Sequence, residues 1–172
     1  MSCITKLLEL QGSREFLPVN DSVVIEGGGV YKGHEYLVVF TIGGHRCGYV
    51  ALKSNEDAKI DEERDLKDNY FLPENIDCHG GVTFYDNSHA AKELLPVQCD
   101  DFWVGFDAAH FHDALDPGLA VKYFNDDEEA QYKRRWQTEI GHYEDSKHRD
   151  FAYMESECHR IIDQLESWAV AI

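Results

Sequence analysis

Apolar side chains in the last part of the sequence recur at intervals of mostly three and four residues, and this stripe most constrains the fold. It begins after Lys147, and charged residues fill many of the positions between its members. The spacing puts the apolar side chains on one face of an amphipathic helix, which must be buried against another element. The stripe consists of Phe151, Met154, Cys158, Ile161, Ile162, Leu165 and Trp168.

Short β-branched and aromatic runs, separated by glycines, predict the sheet on which this helix packs. EYLVVFTIG followed by GHRCGYVAL predicts a hairpin that turns at Gly43 and Gly44. Together with SVVIEGGGVY, VTFYD and FWVGFDA, it gives about five strands. We expect one α+β domain over residues 1–172, with a mostly antiparallel sheet against a long C-terminal amphipathic helix. The charged segment 54–75 predicts an exposed loop or short helix at the rim, and DPGLA at 116–120 predicts a turn.

Length and cysteine content indicate a soluble protein with reduced thiols. The 172 residues are enough to bury a core, and no apolar run approaches the ~20 residues needed to cross a bilayer. The opening MSCITKLLELQG has one lysine and a very short apolar run, which does not fit a signal peptide. The five cysteines form no CxxC pair, which argues against a disulfide framework and a cysteine-based zinc ribbon. We therefore expect a cytoplasmic location.

The charge balance is strongly acidic. There are 33 acidic and 16 basic residues, for a net charge of -17. A field of this sign repels nucleic acid and membrane surfaces and attracts basic partners. Solubility alone is the simpler explanation. The acids recur along the chain instead of forming one tail, which predicts that they cover a folded surface.

The run FDAAHFHD at 106–113 concentrates side chains that bind metals. Asp107, His110 and Asp113 are three residues apart, so a helical or tight-turn conformation gathers them roughly on one face beyond the predicted strand FWVGF. His79, in DCHGG, can approach them if VTFYD and FWVGFD are neighbouring strands. Imidazole and carboxylate ligands suit zinc or a harder divalent metal. We predict a metal site of His79, Asp107 and His110, with Asp113 as fourth ligand or as partner of a histidine.

Simpler roles for the same residues stay open. Asp107 could cap a helix that begins at Ala108. Asp113 could cap the following turn, and His110 could be a buried histidine with satisfied nitrogens. Cys78 and His112 are reserve ligands. The spacing is a much weaker signal than HExxH.

Four sequence blocks occur in order over most of the chain: Gly48-Tyr49-Val50, CHGGVTF at 78–84, WVGFDAAHFHD at 103–113 and FAYMESECHRIIDQL at 151–165. Together they resemble a family of small phage-encoded proteins. The family pattern is HGGxTF followed by WxGFDxAHxxD and a C-terminal helix. The resemblance implies a metal site at His79, Asp107, His110 and Asp113. Ala108 stands where the family often has cysteine, and His112 stands where it has glycine.

A phage origin combined with strong acidity suggests an anti-defence protein in the host bacterial cytoplasm, such as a type II anti-CRISPR protein. It would bind a basic surface of a CRISPR effector nuclease and block nucleic-acid loading, without binding nucleic acid or membrane itself. The metal, zinc by default, would then be structural. The acids expected to bind the partner are Glu56, Asp57, Asp61, Glu62, Glu63, Asp65, Asp126, Asp127, Glu128 and Glu129.

Two other functions fit the same residues. A metal-dependent hydrolase acting on a nucleotide or signalling molecule would keep one metal position open for water. A structural phage protein without metal would use FDAAHFHD as a hydrogen-bonded core network.

Overall fold

A six-stranded sheet with only antiparallel neighbours is the main feature of the computed structural model, which describes residues 3–53, 56, 60, 73–87, 102–124 and 146–170. The spatial order is β1-β2-β3-β4-β6-β5. The mostly antiparallel α+β fold is therefore confirmed. The strands of this sheet are β1 (Leu17–Pro18), β2 (Val23–Tyr31), β3 (His34–Thr41), β4 (Arg46–Ala51), β5 (Phe84–Asn87) and β6 (Phe102–Asp107). Other elements are the short parallel pair β7 (Asp113–Ala114) and β8 (Lys147–His148), and the helices α1 (Cys3–Gln11), α2 (Pro117–Tyr123) and α3 (Phe151–Val170).

The predicted hairpin joins β3 to β4. The Thr41 N–H donates to the His45 carbonyl at 2.9 Å, which closes the turn. Gly44 has φ +89, a conformation that glycine adopts without steric cost. The predicted turn at Gly43 and Gly44 is confirmed.

Helix α3 packs its apolar stripe on one face of the sheet. Met154, Ile161 and Leu165 are fully buried there against a core that includes Val38 and Val50. Each side chain of this size contributes about 1.5–3 kcal/mol on burial. The predicted C-terminal helix is confirmed, and its direction carries its first turn to one end of the sheet and its last turns to the other.

Close approach of this helix depends on Gly48 in β4. A Cβ at this position would lie 2.5 Å from the Phe106 ring and 3.0 Å from the Cys158 sulfur. Such distances are too short for carbon contacts, so a side chain here would push the helix or strand β6 away.

Helix α1 covers the opposite face, which the sequence did not predict. Ile4 and Leu7 are fully buried with Leu37, Val39 and Trp103. Neighbouring residues along β3 therefore point to different helices, as the two-residue period of a strand requires.

The predicted turn at 116–120 is wrong, because the segment begins helix α2. The Asp116 carboxylate accepts a hydrogen bond from the Leu119 N–H at 2.9 Å and so caps the helix. Pro117 occupies the first turn, where its missing N–H costs nothing.

Three of the described cysteines, Cys47, Cys78 and Cys158, are free thiols. Cys78 and Cys158 are buried and Cys47 is half-buried. Burial raises the pKa of Cys47 and of Cys78 to about 12, so both are protonated at neutral pH. Within the described part of the chain, no helix has the length and apolar character needed to cross a membrane.

Candidate functional site

The four residues predicted as metal ligands lie together at the end of the sheet where β6 finishes. Strands β5 and β6 are antiparallel neighbours, so the start of β5 lies beside the end of β6. The loop before β5 carries His79, and the loop after β6 carries His110. The expected proximity of these two loops is confirmed by a separation of 5.5 Å between the two imidazole rings.

Asp113 is the centre of this cluster. Its side chain is 1% exposed. Its Oδ1 accepts from the Arg149 Nε at 2.8 Å, and its Oδ2 accepts from the His79 Nε2 at 2.7 Å and from the His110 backbone N–H at 3.0 Å. Burial raises the pKa of the Asp113 carboxyl, but these three hydrogen bonds outweigh burial and leave the pKa below its ordinary value. Asp113 is therefore an ionised carboxylate that joins three separate segments.

The hydrogen bonds of His79 fix its tautomer. Because the Asp113 carboxylate can only accept, the His79 Nε2 carries the proton and the Nδ1 is the acceptor. The Tyr153 hydroxyl lies 2.9 Å from that Nδ1 and donates to it. The His79 backbone N–H donates to Glu157 at 2.8 Å. Both ring nitrogens of His79 are thus already used within the protein.

His110 and Asp107 are held more loosely. The His110 Nε2 is buried and has no hydrogen-bond partner within the described part of the chain. It lies 3.6 Å from the Asp107 Oδ1, beyond hydrogen-bond distance. That Asp107 oxygen accepts from the Ala109 N–H at 3.1 Å, so Asp107 caps the turn that follows β6. The His110 ring packs onto Gly80, where a Cβ would lie only 1.9 Å from the Nε2.

A metal bound by all four residues would have to displace existing partners. Arg149 and Tyr153 occupy the atoms of Asp113 and His79 that a metal would need. Metal binding by the predicted set stays a prediction, and the contacts equally fit the hydrogen-bonded network considered as an alternative.

Sequence reasoning missed three members of the cluster: His45, Arg149 and Tyr153. Burial lowers the pKa of His45, and the negative charges of Asp107 and Asp113 oppose this only in part. The Arg149 guanidinium lies 4.8 Å from the centre of the Tyr153 ring, one helical turn further along. Arg149 and Tyr153 have one sequence signal, a polar side chain directly before or within the first turn of α3, whereas His45 directly follows the turn glycines Gly43 and Gly44.

The pocket beside this cluster is small. It is lined by Gly44, His45, Ala108 and Arg149 among others, and its enclosed volume is about 10 Å³. A volume of this size accommodates about one water molecule.

A second polar group lies at the opposite end of β3 and β4. It comprises His34, Glu56 and Glu166, which each offer a ligand atom within 4.8 Å of the others. His34 is 1% exposed and Glu56 is 2% exposed, while Glu166 is half-buried. Of the residues that the structure describes, this group has the spacing to hold a metal ion.

Glu56 is buried, so the expectation that it lies on an exposed acidic surface is wrong. Its carboxylate accepts from the His34 Nε2 at 2.7 Å and from the Lys53 backbone N–H at 2.9 Å. These two donors stabilise the charge and draw the side chain inward. The other acids expected to bind a partner lie outside the described residues: Asp57, Asp61, Glu62, Glu63, Asp65, Asp126, Asp127, Glu128 and Glu129.

Comparison of the chain with models of protein families, with curated proteins and with solved structures finds no match.

Proposed function

We propose that this chain is an acidic binding protein, stabilised by a divalent metal, that associates with a basic surface of another protein. The observation that carries the proposal is the charge surplus: the 33 acids exceed the 16 bases by 17. Even if every lysine and arginine paired with a different acid, 17 acids would have no basic partner of their own. A surplus of this size attracts a positively charged surface and speeds association with it.

The described ion pairs support this reading. Arg46 binds Glu26 at 2.6 Å and Lys122 binds Glu15 at 2.6 Å. Arg149 is held by Asp113. Because Arg46 and Arg149 are committed to buried acids, these two bases contribute little to binding phosphates, which favours a basic protein over nucleic acid as the partner.

The resemblance to small phage-encoded proteins narrows the proposed partner. A CRISPR effector nuclease holds its guide and target in a positively charged channel. The protein would occupy such a basic surface in the host bacterial cytoplasm and block nucleic-acid loading, as a type II anti-CRISPR protein. The metal we propose is zinc, because imidazole and carboxylate ligands suit it. The metal would have a structural role and would stabilise the folded state.

Paired charge variants test the proposal in a DNA-cleavage assay with a type II effector nuclease. One variant carries Asp126→Asn and Asp127→Asn, and a second carries Asp61→Asn and Glu62→Gln. The control carries Glu9→Gln and Asp21→Asn, which removes the same charge from exposed positions outside the acidic clusters. We expect wild type and control to inhibit cleavage alike, and at least one cluster variant to inhibit several-fold less. Equal inhibition by all four proteins, or none by wild type, would contradict the proposal.

A metal-dependent hydrolase is the second candidate function. The observation in its favour is the His110 Nε2, which is buried, faces Asp107 and has no hydrogen-bond partner among the residues that the structure describes. A cation between these two side chains could activate a water molecule. Turnover of bis(p-nitrophenyl) phosphate with added zinc or manganese, lost in His110→Asn while the fold persists, would favour this function over the first.

A further inference from the structure

We propose that His34 and Glu166 bind a divalent cation, zinc first among them, and that Glu56 orients His34 for this purpose. This site would supply the structural metal of the proposed function. Metal binding at the site does not itself require a partner protein. It lies near the C-terminal end of α3, and Glu166 is 13 residues beyond Tyr153. At 1.5 Å per residue, about 20 Å of helix separates it from the cluster around Asp113.

Glu56 determines which nitrogen of His34 is available. Its two oxygens lie 2.7 and 2.9 Å from the His34 Nε2. An ionised carboxylate only accepts hydrogen bonds, so the Nε2 carries the proton and the Nδ1 presents a lone pair. Metal-binding histidines characteristically donate their other ring N–H to a carboxylate in this way.

The His34 Nδ1 is the second and independent observation. It is buried in a side chain that is 0% exposed, and it has no hydrogen-bond partner among the described residues. It faces the Glu166 Oε1 at 3.5 Å. A nitrogen lone pair and a carboxylate oxygen at this separation repel each other unless a proton or a metal cation lies between them. A divalent cation would satisfy both atoms at once.

Lys53 supplies only part of the required positive charge. Its Nζ lies 2.9 Å from the same Glu166 oxygen, and its backbone N–H donates to Glu56. The ammonium neutralises Glu166 but leaves the His34 Nδ1 without a donor. Lys53 is 43% exposed, so its ammonium can move into solvent when a metal binds. Because Glu166 is 36% exposed, water can complete the coordination on that side.

Such a metal would connect three distant parts of the chain: the start of β3, the segment after β4 and the last third of α3. A bound ion that holds these parts together stabilises the folded state, because the unfolded chain has no preformed site.

Zinc titration by calorimetry tests the site, on protein purified without a metal column and treated with EDTA. The variants are Glu166→Gln and Lys53→Met. The control is Asp163→Asn, which removes the same charge one turn earlier on α3, where Asp163 pairs with Lys32. We expect wild type and the control to bind one zinc with affinities within twofold of each other. Glu166→Gln should weaken binding at least tenfold, and Lys53→Met should strengthen it because a competing cation is gone.

Several outcomes would overturn the inference. They are no zinc binding by wild type, equal affinity of Glu166→Gln and Asp163→Asn, or weaker binding by Lys53→Met. If zinc binding were lost in His110→Asn and kept in Glu166→Gln, the metal would belong to the other cluster, which overturns this site and leaves the proposed function standing. Conversely, zinc binding at this site without any binding to a basic partner would contradict the proposed function and leave the metal site standing.

Discussion

Replacing Asp113 by asparagine should be the most damaging isosteric change in the cluster at the end of β6. The carboxylate accepts three hydrogen bonds while its side chain is 1% exposed. Asparagine keeps one oxygen and presents an amide donor in place of the other. If that donor faces Arg149, two donors meet there; if it is turned around, it meets the His110 backbone N–H. Either orientation leaves at least one donor without an acceptor.

The size of the effect follows from these contacts. Hydrogen bonds to a charged group contribute about 1.5–3 kcal/mol each. Breaking a buried ion pair by removing one partner costs about 3–5 kcal/mol, but the Arg149 side chain is 20% exposed and regains some solvation. We therefore expect Asp113→Asn to lower the free energy of unfolding by about 2–4 kcal/mol. For a chain of this length each kcal/mol corresponds to roughly 2–4 °C in Tm.

Equilibrium urea unfolding under reducing conditions, followed by circular dichroism, measures this effect. Asp107→Asn is the matched control, because Asp107 is 26% exposed and asparagine can still accept from the Ala109 N–H. The control should change the free energy of unfolding by less than about 0.5 kcal/mol, as is usual at exposed positions. A cost below about 1 kcal/mol for Asp113→Asn, or equal costs for the two variants, would refute the view that Asp113 joins the two loops to α3.

Three further predictions concern neighbouring features. The folded-state pKa of Asp113 is below its ordinary value of 3.8, so the stabilisation by this carboxylate is present above pH 3.8 and is lost as the pH falls through the folded-state pKa. Urea unfolding from pH 6 to 3 should therefore show a steeper loss of stability for wild type than for Asp113→Asn, and parallel curves would contradict this. Gly80→Ala, at φ +67, should lower the free energy of unfolding by more than about 2 kcal/mol, because the added Cβ would overlap the His110 ring. Gly81→Ala, at φ +83 with no described atom within 4 Å of the added Cβ, should lower it by only about 1 kcal/mol through backbone strain. Equal shifts in Tm would refute the steric reason. Cys78, buried with its pKa raised to about 12, should react with a thiol reagent far more slowly in the folded protein than in urea, and a rate that urea does not change would show that this thiol is accessible in the fold.

The elements that could be predicted from sequence are those whose pattern is long and local. The stripe of α3 extends over 18 residues, from Phe151 to Trp168, and its buried positions follow the helical period. The hairpin at Gly43 and Gly44 has both β-branched and aromatic strand residues and turn glycines. The approach of His79 to His110 followed from two strand patterns being neighbours in the sheet.

The features that sequence reasoning missed depend on distant partners or short segments. Helices α1 and α2 have nine and seven residues, too few for a clear period, and the Asp116-Pro117 start of α2 also fits a turn. Glu56 lies in a run of charged residues, where nothing local distinguishes the acid that meets His34, 22 positions earlier. Arg149 is recognisable only once β7 and α3 bring it to Asp113.

Salt dependence of partner binding tests the central claim of a charge-driven binding protein most directly. The measurement is the association rate of the wild-type protein with an immobilised type II CRISPR effector nuclease free of nucleic acid, at ionic strengths from about 0.05 to 0.5 M. If the surplus of 17 acids drives association, the rate should fall steeply as salt is added, and the bound protein should prevent subsequent loading of guide RNA. Absence of binding at the lowest salt, or binding whose rate does not change with salt, would contradict the account.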